Sequence, residues 1–153
     1  MTKNLQRALA FLRIALGVFF LYAGLSKVLD PQWTAAGYLG AAKTFPDIFS
    51  WFASAGNIGW VDFLNEWGLT AIGAALILGV YVRWASLAGS ALMVLYYFPI
   101  LDFPYVGEHA FIIDDHIIYI AGFCVLWCAK TAGEYWNLTP KFIRKRLPFK
   151  QAV

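Results

Sequence analysis

Long apolar runs, separated by short polar clusters, dominate the chain. A bilayer core takes about 20 consecutive, mostly apolar residues to cross as a helix. Four segments approach or reach that length: Ala8 to Leu29, Trp60 to Val82, Trp84 to Leu101 and Ile113 to Thr131. The pattern predicts an all-α fold, an integral membrane four-helix bundle forming a single domain over residues 1–153. Between the first two segments, "TAAGYLGAA" and "PDIFSWFASA" are helix-compatible but too short to span, and both are rich in apolar and aromatic residues. They are expected as short interfacial helices in the first extracytoplasmic loop, either filling the interface or roofing the bundle. The turn "GVYVRWA" makes the second and third spans antiparallel neighbours. Small residues at helical spacing, Ala71/Ala75, Ala85/Gly89 and Ser86/Ser90, are candidates for close helix packing.

Composition agrees: 61% of residues are hydrophobic and 14% charged, too apolar for a soluble domain of 153 residues. Lys3 and Arg7 precede the first segment as they would in a signal peptide. Arg13 interrupts the apolar stretch, however, and no A-x-A site follows, so a retained helix is expected. Lys3, Arg7, Arg83, Lys130 and the tail "KFIRKRLPFK" share one side of a four-span topology, and Asp30, Asp47, Asp62, Asp102 and Glu108 the other. Basic residues favour the cytoplasm, which puts both termini there and the tail, 137–153, against anionic headgroups rather than nucleic acid. Trp33, Trp51, Trp60 and Trp67 mark the outer boundary, and Trp84, Trp127 and Trp136 the inner one. Asn137 opens the sequon "NLT", which on the cytoplasmic side would not be glycosylated. Cys124 and Cys128, four apart, share a helix face as packing residues and lack redox-pair spacing.

Polar residues inside the apolar segments are the candidate chemistry. Arg13, Gly17, Phe20, Gly24 and Lys27 fall on one stripe of the first helix, with a cation at each end. Both cations are able to snorkel to opposite interfaces. Glu66 lies roughly 9 Å below Trp60 at ~1.5 Å per residue, a depth at which a carboxylate needs a partner, a proton or a wet cavity. The fourth helix brings Asp114, Asp115 and His116 to a similar level, with Tyr119 three and four residues on. Asp114 suits a helix N-cap. His116 is read equally as an interfacial histidine and as a proton carrier. Lys27, Glu66, Asp115, His116 and Tyr119 are together predicted to form a polar pocket near the outer face. No haem-attachment, iron-sulfur or glycine-rich nucleotide motif occurs, and no metal site is expected.

"RIALGVFFLYAGLSKVLDP" and "NEWGLTAIGAALILGVYVRWASL" resemble the DoxX family of four-helix membrane proteins. The resemblance rests on Arg13, Gly17, Gly24 and Lys27, then on Glu66, Gly73, Gly79 and Arg83. "WTAAGYL" is similar to the DoxD branch, the membrane subunit of thiosulfate:quinone oxidoreductase. The convergent ionisable layer and the resemblance together point to a quinone-linked oxidoreductase subunit, with Glu66 and His116 as proton-exchanging residues and Lys27, Asp115 and Tyr119 holding a quinone or small anionic substrate. The implied cofactor is quinone, and the implied partners are the lipid bilayer and a soluble redox partner. A non-catalytic accessory subunit of a larger respiratory or photosynthetic membrane complex is the alternative. Small-solute transport has little support, since no helix is visibly broken near its middle.

Overall fold

The computed structural model describes residues 2–107, 110–129, 131–133 and 135–136. The basic tail, the Asn137 sequon, Lys130, Glu108 and His109 lie outside the described residues. The elements run α1 (Lys3–Val28), α2 (Ala36–Gly40), α3 (Pro46–Ala53), α4 (Ile58–Leu78), α5 (Val82–Ile100), β1 (Leu101–Asp102), β2 (Tyr105–Val106), β3 (Ala110–Phe111) and α6 (Asp115–Cys128).

Local chemistry sets the ends of these helices. The Thr2 hydroxyl accepts from the Leu5 N–H at 3.4 Å and starts α1. Pro46 opens α3, where its missing N–H costs nothing, and Asp47 stands in the first turn. Gly79, in the left-handed region at φ 74°, ends α4. Asp114 caps α6 as its position suggested, Oδ1 accepting from the N–H groups of His116 at 3.1 Å and Ile117 at 3.3 Å. By length and composition α1 and α4 are able to cross a membrane. With 19 residues α5 rises about 28 Å, while α6, with 14, rises about 21 Å and is shorter than the expected segment from Ile113 to Thr131. The connection before α6 is not irregular: β1, β2 and β3 form a small antiparallel sheet in that order.

The closest pairings set α1 along α4 and α5 along α6, and contacts of α4 with α5 and of α1 with α6 complete the bundle. Glycines make the α1–α4 seam. A Cβ on Gly73 would lie 2.2 Å from the Leu21 nitrogen, and one on Gly24 2.4 Å from the Thr70 nitrogen, so the two backbones touch. Of the expected small-residue pairs, Ala85 and Gly89 are buried, Gly89 against the Phe123 ring, whereas Ala71 is exposed and the α4 seam runs through Gly73 instead. Phe20, Leu69, Leu76, Phe123 and Leu126 centre the main core, and a second core under α2 and α3 joins Ala35, Leu39, Ala42, Phe49 and Val61.

Arg13 corrects an expectation. It does not snorkel but is 0% exposed, donating through Nη1 to the Ala132 carbonyl at 3.1 Å and through Nη2 to the Trp136 carbonyl at 2.8 Å. Gly79 lies against it: a Cβ there would stand 2.6 Å from Nη1.

Candidate functional site

A cavity of about 520 Å³ sits at the end of the bundle that carries α2 and α3. Its walls come from the C-terminal part of α1, the segment from Trp33 to Leu39, α3, the first turns of α4, the last turns of α5 and the start of α6. Two helices present the same i, i+3, i+4 triplet to it: Val61, Leu64 and Asn65 on α4, and Leu92, Leu95 and Tyr96 on α5. Each triplet ends in a polar residue, and the two polar residues join, the Tyr96 hydroxyl donating to Asn65 Oδ1. Asn65, 7% exposed, donates from Nδ2 to the Val61 carbonyl one turn back at 2.8 Å. The polar wall is therefore pinned to α4 on one side and α5 on the other.

α2 and α3 roof the cavity with Tyr38, Leu39, Phe49 and Phe52, the lid version of the two readings left open by the sequence. The roof is tied down at several points. Asp62 of α4 accepts from the Ala35 N–H at 2.8 Å, and the Tyr38 hydroxyl donates to the Tyr96 carbonyl. The Lys43 N–H donates to the Pro99 carbonyl at 3.0 Å, and the Thr44 hydroxyl to the Leu101 carbonyl at 2.5 Å, both using acceptors that the end of α5 leaves free. Burial pushes the Tyr38 phenol up to about 12, and the nearby charge of Asp114 adds to the effect. Tyr38 thus stays protonated and keeps its hydrogen bond across ordinary pH.

Two side chains on the lining, Lys27 and His116, are of types able to carry a proton. The Lys27 ammonium sits 4.8 Å from the Trp33 ring centroid, a cation–π contact that offsets part of its desolvation. His116 holds Asp114 Oδ2 through Nδ1 at 2.5 Å and packs edge-on against Tyr96, ring centroids 6.0 Å apart. That contact fixes the ring and leaves Nε2 as the nitrogen available to the cavity.

Of the five residues predicted to form the pocket, Lys27 and His116 line the cavity. Glu66 does not line it: it stands one residue, about 100° of helix rotation, past Asn65, and its carbonyl accepts from Thr70 at 2.7 Å beside the seam with α1. Asp115 is exposed, and Tyr119 packs on Phe19 and Phe20, with ring centroids 4.8 and 5.9 Å away. Asn65, Tyr96 and Tyr38 were not singled out, although Asn65 interrupts an apolar stripe at helical spacing, the one signal that marked it. Among the described residues no cluster of histidine, cysteine, aspartate or glutamate is arranged to hold a metal.

A family model described as DoxX matches residues 8–100, which takes in α1 to α5 and stops short of α6. Comparison with curated proteins and with solved structures returns no match. The positions that carry the resemblance have structural duties: Gly17, Gly24 and Gly73 form the α1–α4 seam, Gly79 ends α4 against Arg13, and Arg83 lies over Trp127 at 5.2 Å. Within "WTAAGYL", Trp33, Thr34, Ala35, Tyr38 and Leu39 line the cavity. The chain belongs to the DoxX family and is an all-α membrane protein.

Proposed function

We propose that the cavity is a quinone site and that the chain is the quinone-binding subunit of a membrane oxidoreductase. One observation carries this reading: an apolar and aromatic chamber whose lining includes two side chains able to pass a proton, Lys27 and His116. Asn65, Tyr38 and Tyr96 spend their donors on one another and on the backbone. Two such proton-passing side chains suit a head group with two carbonyl oxygens. A quinone held there would supply two-electron, two-proton chemistry, with electrons drawn from a sulfur-oxyanion donor or a soluble redox partner of the kind the DoxD-like segment suggests.

The chain's own part concerns protons and exclusion of water. With Nδ1 held by Asp114, which stabilises the charged ring, imidazolium His116 delivers its Nε2 proton to one carbonyl oxygen and is left as the neutral imidazole, to be reprotonated for the next turnover. Lys27 holds the oxygen at which negative charge builds up, in surroundings made less polar by Trp33, Phe49 and Phe52. Following the charge pattern, the chain crosses the bilayer four times with both termini cytoplasmic, which sets the chamber in the outer half.

Gently solubilised protein is expected to carry a quinone detectable by mass spectrometry, and His116→Ala or Lys27→Met to lower its occupancy about tenfold, or ~1.4 kcal/mol. No bound quinone, together with no quenching of tryptophan emission by added quinone, overturns the proposal. Co-purification with a large partner whose activity survives Lys27→Ala and Glu66→Ala supports the accessory-subunit reading instead.

A further inference from the structure

The chamber has a roof fixed by hydrogen bonds and a polar wall fixed by the Tyr96–Asn65 contact, yet three of its lining residues are half-exposed. Leu64 is 50% exposed, Leu95 46% and Trp60 47%. Leu64 and Leu95 are the middle members of the two triplets and belong to the neighbouring helices α4 and α5. Further along the same pair the helices come closer, with room between Gly68 and a Leu92 methyl for about one added Cβ, which would lie 3.7 Å from that methyl. Where α4 and α5 run side by side on the flank of the bundle, the chamber wall is thus only partly covered, near the Asn65–Tyr96 hydrogen bond and Trp60. In a membrane protein that flank faces hydrocarbon, and leucines on both lips suit nothing aqueous.

Size adds an independent constraint. A space of about 520 Å³ equals on the order of 17 waters at ~30 Å³ each, room for a quinone head and the first units of its tail but not for a long polyisoprenoid chain. We infer that the tail of the bound quinone leaves the chamber between Leu64 and Leu95 into the lipid, making these two leucines the residues that admit long-tailed quinones. The inference rests on the quinone reading and deepens it. The head group reaches Lys27 and His116 by sliding in from the bilayer, beneath a roof that hydrogen bonds hold to α4 and α5. Because the tail moves from lipid to lipid, the lips contribute permission rather than affinity.

The test compares the full chain in lipid nanodiscs with two probes: a quinone bearing a long polyisoprenoid tail and the same head group without a tail. Leu64→Phe combined with Leu95→Phe narrows the gap without altering any residue placed in the proton-handling site. Tryptophan quenching is expected to show binding of the long-tailed quinone weakened at least tenfold more than binding of the tail-less one. Should the double variant not fold, Leu64→Cys in a Cys124→Ser, Cys128→Ser background, folded first and then labelled with a bulky maleimide, places the same block on a native bundle. Equal loss of both probes, or loss of neither, overturns the tail route and leaves the quinone reading standing. Failure of both probes to bind the parent chain overturns the two together.

Discussion

Asn65 and Glu66 are adjacent, and their different positions show what a single residue reveals. Glu66 stands out in the sequence because a carboxylate inside an apolar segment is costly, whereas Asn65 carries no charge and is quiet. Yet Asn65 lines the chamber and joins α4 to α5 through Tyr96. The difference comes from helix phase, which needs the neighbours in three dimensions to be read. Asn65→Leu leaves the Tyr96 hydroxyl without its acceptor and is expected to cost about 1–3 kcal/mol. Adding Tyr96→Phe should recover part of that loss, because the orphaned group goes as well. A double-mutant cycle by thermal unfolding in detergent measures this, and strict additivity of the two changes would contradict the contact. The seam glycines give a sharper contrast. Gly73→Ala forces a methyl to within 2.6 Å of the Leu21 Cα, against backbone that cannot rotate away, and is expected to cost ~1–3 kcal/mol or more. Gly59→Ala, on the same helix with nothing within 4 Å, is expected to be neutral or stabilising by up to about 1 kcal/mol.

At the scale of elements, the pieces between α1 and α4 were legible as helices from their proline and glycine borders, but their role was not. What turns α2 and α3 into a roof is a set of long-range hydrogen bonds to α4 and α5, none of which leaves a periodic trace in the sequence. The three short strands before α6 were invisible for a related reason, since two-residue strands exist only through their pairing. Helix α6 is shorter than its hydropathy suggested because Asp114 caps its start and Ala129 turns extended at its end. The Tyr38 latch supplies a pH test with a definite sign. Its folded pKa is raised from 10.0 to about 12, so its contribution to stability is fully present below pH 10 and is lost as pH rises through about 12. Tyr38→Phe has no proton to lose there. The parent chain is expected to lose stability relative to Tyr38→Phe between pH 10 and 12, seen as a converging or inverted difference in melting temperature across that window. Asp62→Ala, which removes the acceptor of the Ala35 N–H, is expected to raise hydrogen exchange across residues 36–53 without changing that of α1.

For the whole molecule, the buried ends of the bundle differ in kind. One end holds the chamber, where polar groups meet a space; the other holds Arg13, where a guanidinium meets carbonyls. The arginine of the family-like motif was readable as a residue, but its partners lie 119 and 123 positions away, beyond the reach of any local pattern. It ties the chain that follows α6 back beneath α1, which supplements the small contact area between those two helices. A fork with several donors serves two carbonyls at once, and a lysine, a single flexible point charge, serves them less well. Hydrogen bonds to charged groups contribute about 1.5–3 kcal/mol each, so Arg13→Met is expected to lower stability by several kcal/mol and Arg13→Lys by roughly half as much. Limited proteolysis should then cut after α6 before it cuts anywhere in the roof. Because Arg13 lies 14 residues before Lys27 on α1, about 21 Å along the helix, variant protein that remains folded is expected to bind quinone with unchanged affinity. Coupled loss of binding and of the Arg13 tie would instead mean that the two ends of the bundle share a single cooperative unit.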